Sequence, residues 1–169
     1  MRRLLAACTI LLAAPTLAGA QTWTEYRYPE SKFVVQFPAE PTVVNGDYKT
    51  TVGQIAPATL YSAALDNISY TVTVADFSKI DLAEEAVVGA TIKALSATGD
   101  VTVDVTERIN RQYGHELGIN GKDGSRTAAS VFYVDRKLYL LIGKAVPPNV
   151  MAGSGKLSRF QQSLQFPDR

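Results

Sequence analysis

The chain has 169 residues, 46% of them hydrophobic, with 17 basic against 16 acidic side chains, one cysteine and one histidine. A formal charge of +1 argues against nucleic acid as a partner, because phosphate binding needs clustered positive charge, and it gives no pull toward anionic membranes. A lone cysteine cannot build a disulfide framework, and a lone histidine is unlike the usual zinc site.

The opening residues read as an export signal. Met1-Arg2-Arg3 is a short positive start, Leu4 to Leu12 an apolar run, and Pro15 breaks it before the small-residue exit Ala18-Gly19-Ala20. The expected cut follows Ala20 and leaves Gln21 as the new N-terminus of a periplasmic or secreted protein. The apolar run is shorter than the roughly 20 residues that span a bilayer, so no transmembrane anchor is expected. A lipoprotein site at Leu5-Ala6-Ala7-Cys8 is the weaker reading, since it would strand Ile10-Leu11-Leu12 beyond the cut. Removal of residues 1–20 takes away the only cysteine together with Arg2 and Arg3. The mature domain, residues 21–169, is then thiol-free with 15 basic and 16 acidic side chains. That length suffices for a single domain burying about 68–70% of its unfolded surface.

Along the mature chain, Trp23 to Tyr28 predicts a short strand and Pro29-Glu30-Ser31 a turn. Phe33 to Phe37 predicts a second strand with Phe33, Val35 and Phe37 on one face, stopped by Pro38 and Pro41. Thr42 to Pro57 is looser and holds one irregular strand. Leu60–Asp66 and Ile68–Phe77 form a hairpin around Asp66-Asn67, with Tyr70, Val72 and Val74 alternating with threonines. Asp81 to Thr98 reads as a helix: Asp81 and Glu84 fit a capping box, Glu85 adds charge at the positive end of the helix dipole, and Gly99 fits a left-handed stop. Its stripe Ala83, Val87, Ala90, Ala94, flanked by Val88, Ile92 and Leu95, suggests close packing on a sheet.

Four strands follow, Val101–Ile109, Gln112–Ile119, Ser125–Val134 and Lys137–Ala145, joined by short turn-rich links that suit antiparallel neighbours. After Pro147-Pro148 a second helix runs from about Ser154 to Leu164 with Leu157, Phe160 and Leu164 at helical spacing, and Phe166 docks the tail. The order predicts an α+β fold: one antiparallel sheet of six to seven strands covered by two helices.

Three residues stand as candidates for a ligand contact: His115, Tyr113 and Glu116. His115 shares a strand face with Tyr113, Leu117 and Ile119, and Glu116 lies on the opposite face between Gly114 and Gly118. A histidine in an apolar stripe is more often a hydrogen-bonded, partly buried residue than a base or ligand, and glycine in a strand more often marks a bulge or bend. Gly118, Gly121 and Gly124 read as a hairpin loop needing positive φ. Gly153-Ser154-Gly155-Lys156 fails the phosphate-loop pattern at Val150 and Leu157, which makes Ser154 a helix cap instead. No Gly-x-Ser-x-Gly elbow is present. No catalytic residue, metal site or cofactor is therefore expected.

Phe33-Val34-Val35-Gln36-Phe37-Pro38 with Pro41, Gly114-His115-Glu116-Leu117, Phe132-Tyr133-Val134 leading to Leu138-Tyr139-Leu140-Leu141, and Arg159-Phe160-Gln161-Gln162-Ser163-Leu164 together resemble a broad group of uncharacterised secreted bacterial proteins. That group is similar to the photosystem-II extrinsic protein P (PsbP-like) fold. The resemblance implies an α/β/α sandwich with helices on both faces of the sheet, and no active site. The functional expectations are three: a non-catalytic accessory or interaction module whose partner is another periplasmic or envelope protein, a binder of a small apolar or amphipathic ligand between sheet and helix, and, least favoured, a hydrolase using His115.

Overall fold

Alternating apolar residues and two-residue turns account for most of the backbone in the computed structural model, which describes residues 22–51 and 53–167. The export signal, the cut after Ala20 and Cys8 lie outside these residues. A first hairpin pairs β1 (Thr24–Tyr28) with β2 (Phe33–Phe37) and stays apart from the main sheet. The main sheet has seven antiparallel strands: β3 (Thr42–Lys49), β4 (Ile55–Leu65), β5 (Ile68–Asp76), β6 (Gly99–Ile109), β7 (Gln112–Gly121), β8 (Arg126–Val134) and β9 (Lys137–Ala145). Their spatial order is β3-β4-β5-β9-β8-β7-β6. The stretch expected to be irregular is a full strand, β3, paired from Thr42↔Ser62 to Lys49↔Ile55. Pro57 is tolerated because it lies where β4 has only β3 beside it; pairing with β5 begins at Ala58.

The tight links Asp66-Asn67, Asn110-Arg111 and Asp135-Arg136 put both residues at positive φ, the mirror-image turn whose twist suits antiparallel neighbours. Among the three loop glycines only Gly124 has positive φ. Gly118 and Gly121 are strand residues kept small by their neighbours. A Cβ on Gly118 would press on Val103 at 3.1 Å, where β6 is bulged between Val101 and Val103.

One helix covers each face of the sheet. α2 (Val150–Gln162) and the β1–β2 hairpin close over one side, with Leu157, Phe160, Leu164 and Phe166 buried among Phe33, Val35, Phe37, Tyr70, Val72 and Tyr139. Val34, on the other side of β2, is buried by the tail, which bonds it through Gln165 in both directions. α1 (Glu84–Ser96) covers the opposite side over Phe77, Val131, Leu138 and Leu140.

Both helices depart from the sequence expectation at their starts. α1 begins three residues after Asp81, with Ala83 at the N-cap and no side-chain cap. The reason is Arg136, which donates to the carbonyls of Phe77 and Ile80 and holds that stretch in a turn while Ile80 and Leu82 plug the core. The buried line of α1 is Val87–Thr91, not an alanine stripe; Ala83 and Ala94 are exposed. Gly99 does not end the helix in a left-handed conformation but opens β6 against Gly121, and a Cβ there would collide with the Asn120 backbone. α2 starts at Val150, so Ser154 is an interior residue bonding back to the Val150 carbonyl rather than a cap. Gly153 lets α2 approach the sheet: a Cβ would meet Ile68 at 3.0 Å and Ala145 at 3.1 Å.

Candidate functional site

The stretch of α1 from Glu84 to Ile92 overhangs β6, β7 and β8 and leaves a groove of about 400 Å³ beneath it. Its walls come from residues that local rules place there. Val88, Gly89 and Ile92 are the flank of α1 turned from its buried line; Val131 and Tyr133 alternate on β8; Thr106, His115 and Tyr113 alternate on β6 and β7. Glu84 and Glu85 close one end.

His115 sits on the groove floor, paired across the sheet with Thr106 and Val131. Its side chain is 39% exposed, and its Nδ1 stands 3.7 Å from the Asp104 carboxylate, buried and without a hydrogen bond among the described residues. No hydroxyl of the described residues bonds to the imidazole. The expected apolar stripe holds at Leu117 and Ile119, which are fully buried, but Tyr113 is 65% exposed at the groove mouth. There β7 has run past the cover of α1, and the ring instead receives the Arg108 guanidinium at 5.4 Å.

Glu116 is not part of this groove. It points to the other face of the sheet, as its strand parity requires, paired with Val105 and Ser130. Beside it, the half-buried Glu107 accepts a hydrogen bond from the Ser130 hydroxyl at 2.9 Å. Burial pushes the Glu107 carboxyl above its ordinary range, and the negative charge of Glu116 adds to the rise. His115 and Tyr113 are therefore brought together, while Glu116 joins Glu107 in a separate acidic patch. Glu84 and Glu85 were legible only as helix-start charges, although their place on α1 beside Val88 and Ile92 was a usable signal. Glu107 and Ser130 gave no local signal, because they meet across an intervening strand.

The strand β6 ends the sheet on this side. Among the described residues β7 is the sole neighbour of this 11-residue strand, and Val103 and Val105 are 36% and 50% exposed on the face that carries Glu107 and Glu116. Among the described residues no three His, Cys, Asp or Glu side chains converge as a metal site. No helix of these residues is long and apolar enough to cross a membrane.

The chain matches no protein-family model and no curated protein sequence. Among solved structures it is similar to the cyanobacterial PsbP protein CyanoP from Synechocystis, with a TM-score of 0.58, 10% identity, and coverage of 92% of this chain and 98% of that one. It is also similar to PA94, a protein of unknown function from Pseudomonas aeruginosa, with a TM-score of 0.45, 10% identity, and coverage of 83% and 94%. The fold is PsbP-like: α+β, with the helices on both faces that the resemblance implied.

Proposed function

We propose that this chain is an exported, non-catalytic accessory module that binds another protein of the cell envelope. In this reading residues 1–20 are removed after Ala20 and residues 21–169 act as one domain. The observation that carries it is β6: a long edge strand with unpaired backbone groups and exposed valines is a template for an added strand. β6 carries Asp100, Asp104 and Glu107 against Arg108, with Glu116 beside them, so it suits a partner segment that mixes apolar and basic residues. The opposite edge, β3, is shorter and its Asp47 and Lys49 offset each other. The test is a photo-crosslinking amino acid placed at Val105 in exporting cells, with the 85%-exposed Met151 on α2 as control. One discrete protein adduct from position 105, lost when Val103 becomes Lys, supports the reading; the same adducts from both positions, or none, end it.

A second reading rests on the groove under α1, whose size and mixed lining suit a small apolar or amphipathic ligand. Native mass spectrometry of gently purified protein tests it, since retained ligand adds mass that Gly89→Leu removes.

A further inference from the structure

We infer that the groove under α1 selects an organic cation, a quaternary or protonated amine bearing a short apolar tail. This deepens the second reading and rests on it. The interior supplies a place for the tail: Val88, Ile92 and Val131 are apolar walls. Tyr113 and Tyr133 also line it, and aromatic rings attract ammonium groups, quaternary ones included; with Arg108 over the Tyr113 ring, Tyr133 is the ring left for the ligand.

The charges around the groove choose the sign. Glu84 and Glu85 stand at one end and form no ion pair among the described residues. Asp104 lies behind His115. Two cations stand near the groove: Arg108 is already stacked on Tyr113, and Arg136, which acts on Tyr133, is committed to the carbonyls of Phe77 and Ile80. A helix start ordinarily draws anions, but here its own two carboxylates occupy that end, so an anionic headgroup would meet like charge while a cation would be drawn in. There is also room: Gly89 lines the groove from the middle of α1, and a Cβ there would meet no atom within 4 Å. Glycine at this point is not demanded by packing against the protein itself.

The test is calorimetric titration of the exported protein with three six-carbon probes: hexyltrimethylammonium, hexyl sulfate and hexanol. The cation should bind at least tenfold tighter than either of the others. Glu84→Gln with Glu85→Gln should weaken it about tenfold, and Gly89→Leu should abolish it while the circular dichroism spectrum stays native. Val105→Lys, on the opposite sheet face, should leave it unchanged. Hexyl sulfate or hexanol binding as tightly as the cation overturns the inference, as does an unchanged affinity in the double glutamine variant. Hexanol binding that disappears in Gly89→Leu would keep the groove as a ligand site while refuting its selectivity. Failure of all three probes to bind overturns the groove reading together with the inference.

Discussion

Tyr70 and Tyr139 are both fully buried, yet removing the same atom from each should move stability in opposite directions. Tyr70 packs edge-on to Trp23 and Phe160, and its hydroxyl has no hydrogen-bond partner among the described residues. Tyr139 donates its hydroxyl to the Ser31 carbonyl at 2.9 Å. An unsatisfied buried polar group costs about 1–3 kcal/mol, and a made hydrogen bond contributes about 0.5–1.5 kcal/mol. Tyr70→Phe keeps the ring and its packing while discarding the stranded hydroxyl, so it should stabilise the fold by about 1 kcal/mol. Tyr139→Phe should destabilise it by about 1–2 kcal/mol, because the Ser31 carbonyl also loses its donor. For a domain of this size, 1 kcal/mol is roughly 3 °C in Tm. Urea unfolding with a shared slope should separate the two variants by about 2–3 kcal/mol, above the scatter of such measurements. If Tyr70→Phe loses 1 kcal/mol or more, its hydroxyl has a partner and the reasoning fails.

The same hydroxyl sets an alkaline limit. Burial pushes Tyr70 and Tyr28 up to about 12. A raised acid binds its proton more tightly in the folded state, so stability is full below pH 10 and falls as pH rises toward 12; Tyr70→Phe should flatten that fall in a pH series of thermal melts. Glu107, raised by burial, should cost stability as pH climbs above 4.5 through its folded value, and Glu107→Gln should remove this slope in urea titrations between pH 4 and 7. Within α2, Gly155→Ala meets open space and should add about 0.5–1 kcal/mol of helix stability, whereas Gly153→Ala presses on Ile68 and Ala145 and should lose stability; thermal melts that move both variants the same way would contradict the packing of α2. Gly89→Leu should leave stability level or higher, because helix propensity improves, the added Cβ meets no atom within 4 Å, and the rest of the side chain enters the groove.

Local chemistry makes much of the fold legible in the sequence. The Asp66-Asn67, Asn110-Arg111 and Asp135-Arg136 turns, the buried face of Phe33, Val35 and Phe37, and the Leu157-Phe160-Leu164 spacing all follow from rules acting over a few residues. The misreadings share one origin, a distant group overriding a local preference. Arg136, 55 residues beyond Asp81 in the chain, delays the start of α1. Gly153 and Gly118 answer to Ile68 and Val103 rather than to a loop. Which strands join which sheet was likewise out of reach, since β1 and β2 pair with each other and reach the tail through Gln165. At the site, strand parity correctly put His115 and Tyr113 on one face and Glu116 on the other. It could not show that Tyr113 lies beyond the cover of α1, nor that Glu84 and Glu85 overhang the same groove.

Amide hydrogen exchange on the purified protein, with and without envelope extract from the source cells, tests the proposed docking edge directly. The β6 amides that make no bond to β7 should slow at least tenfold when extract is added, while those of β3 stay unchanged. Protection at β3, on α2, or nowhere would contradict a partner strand seated on β6.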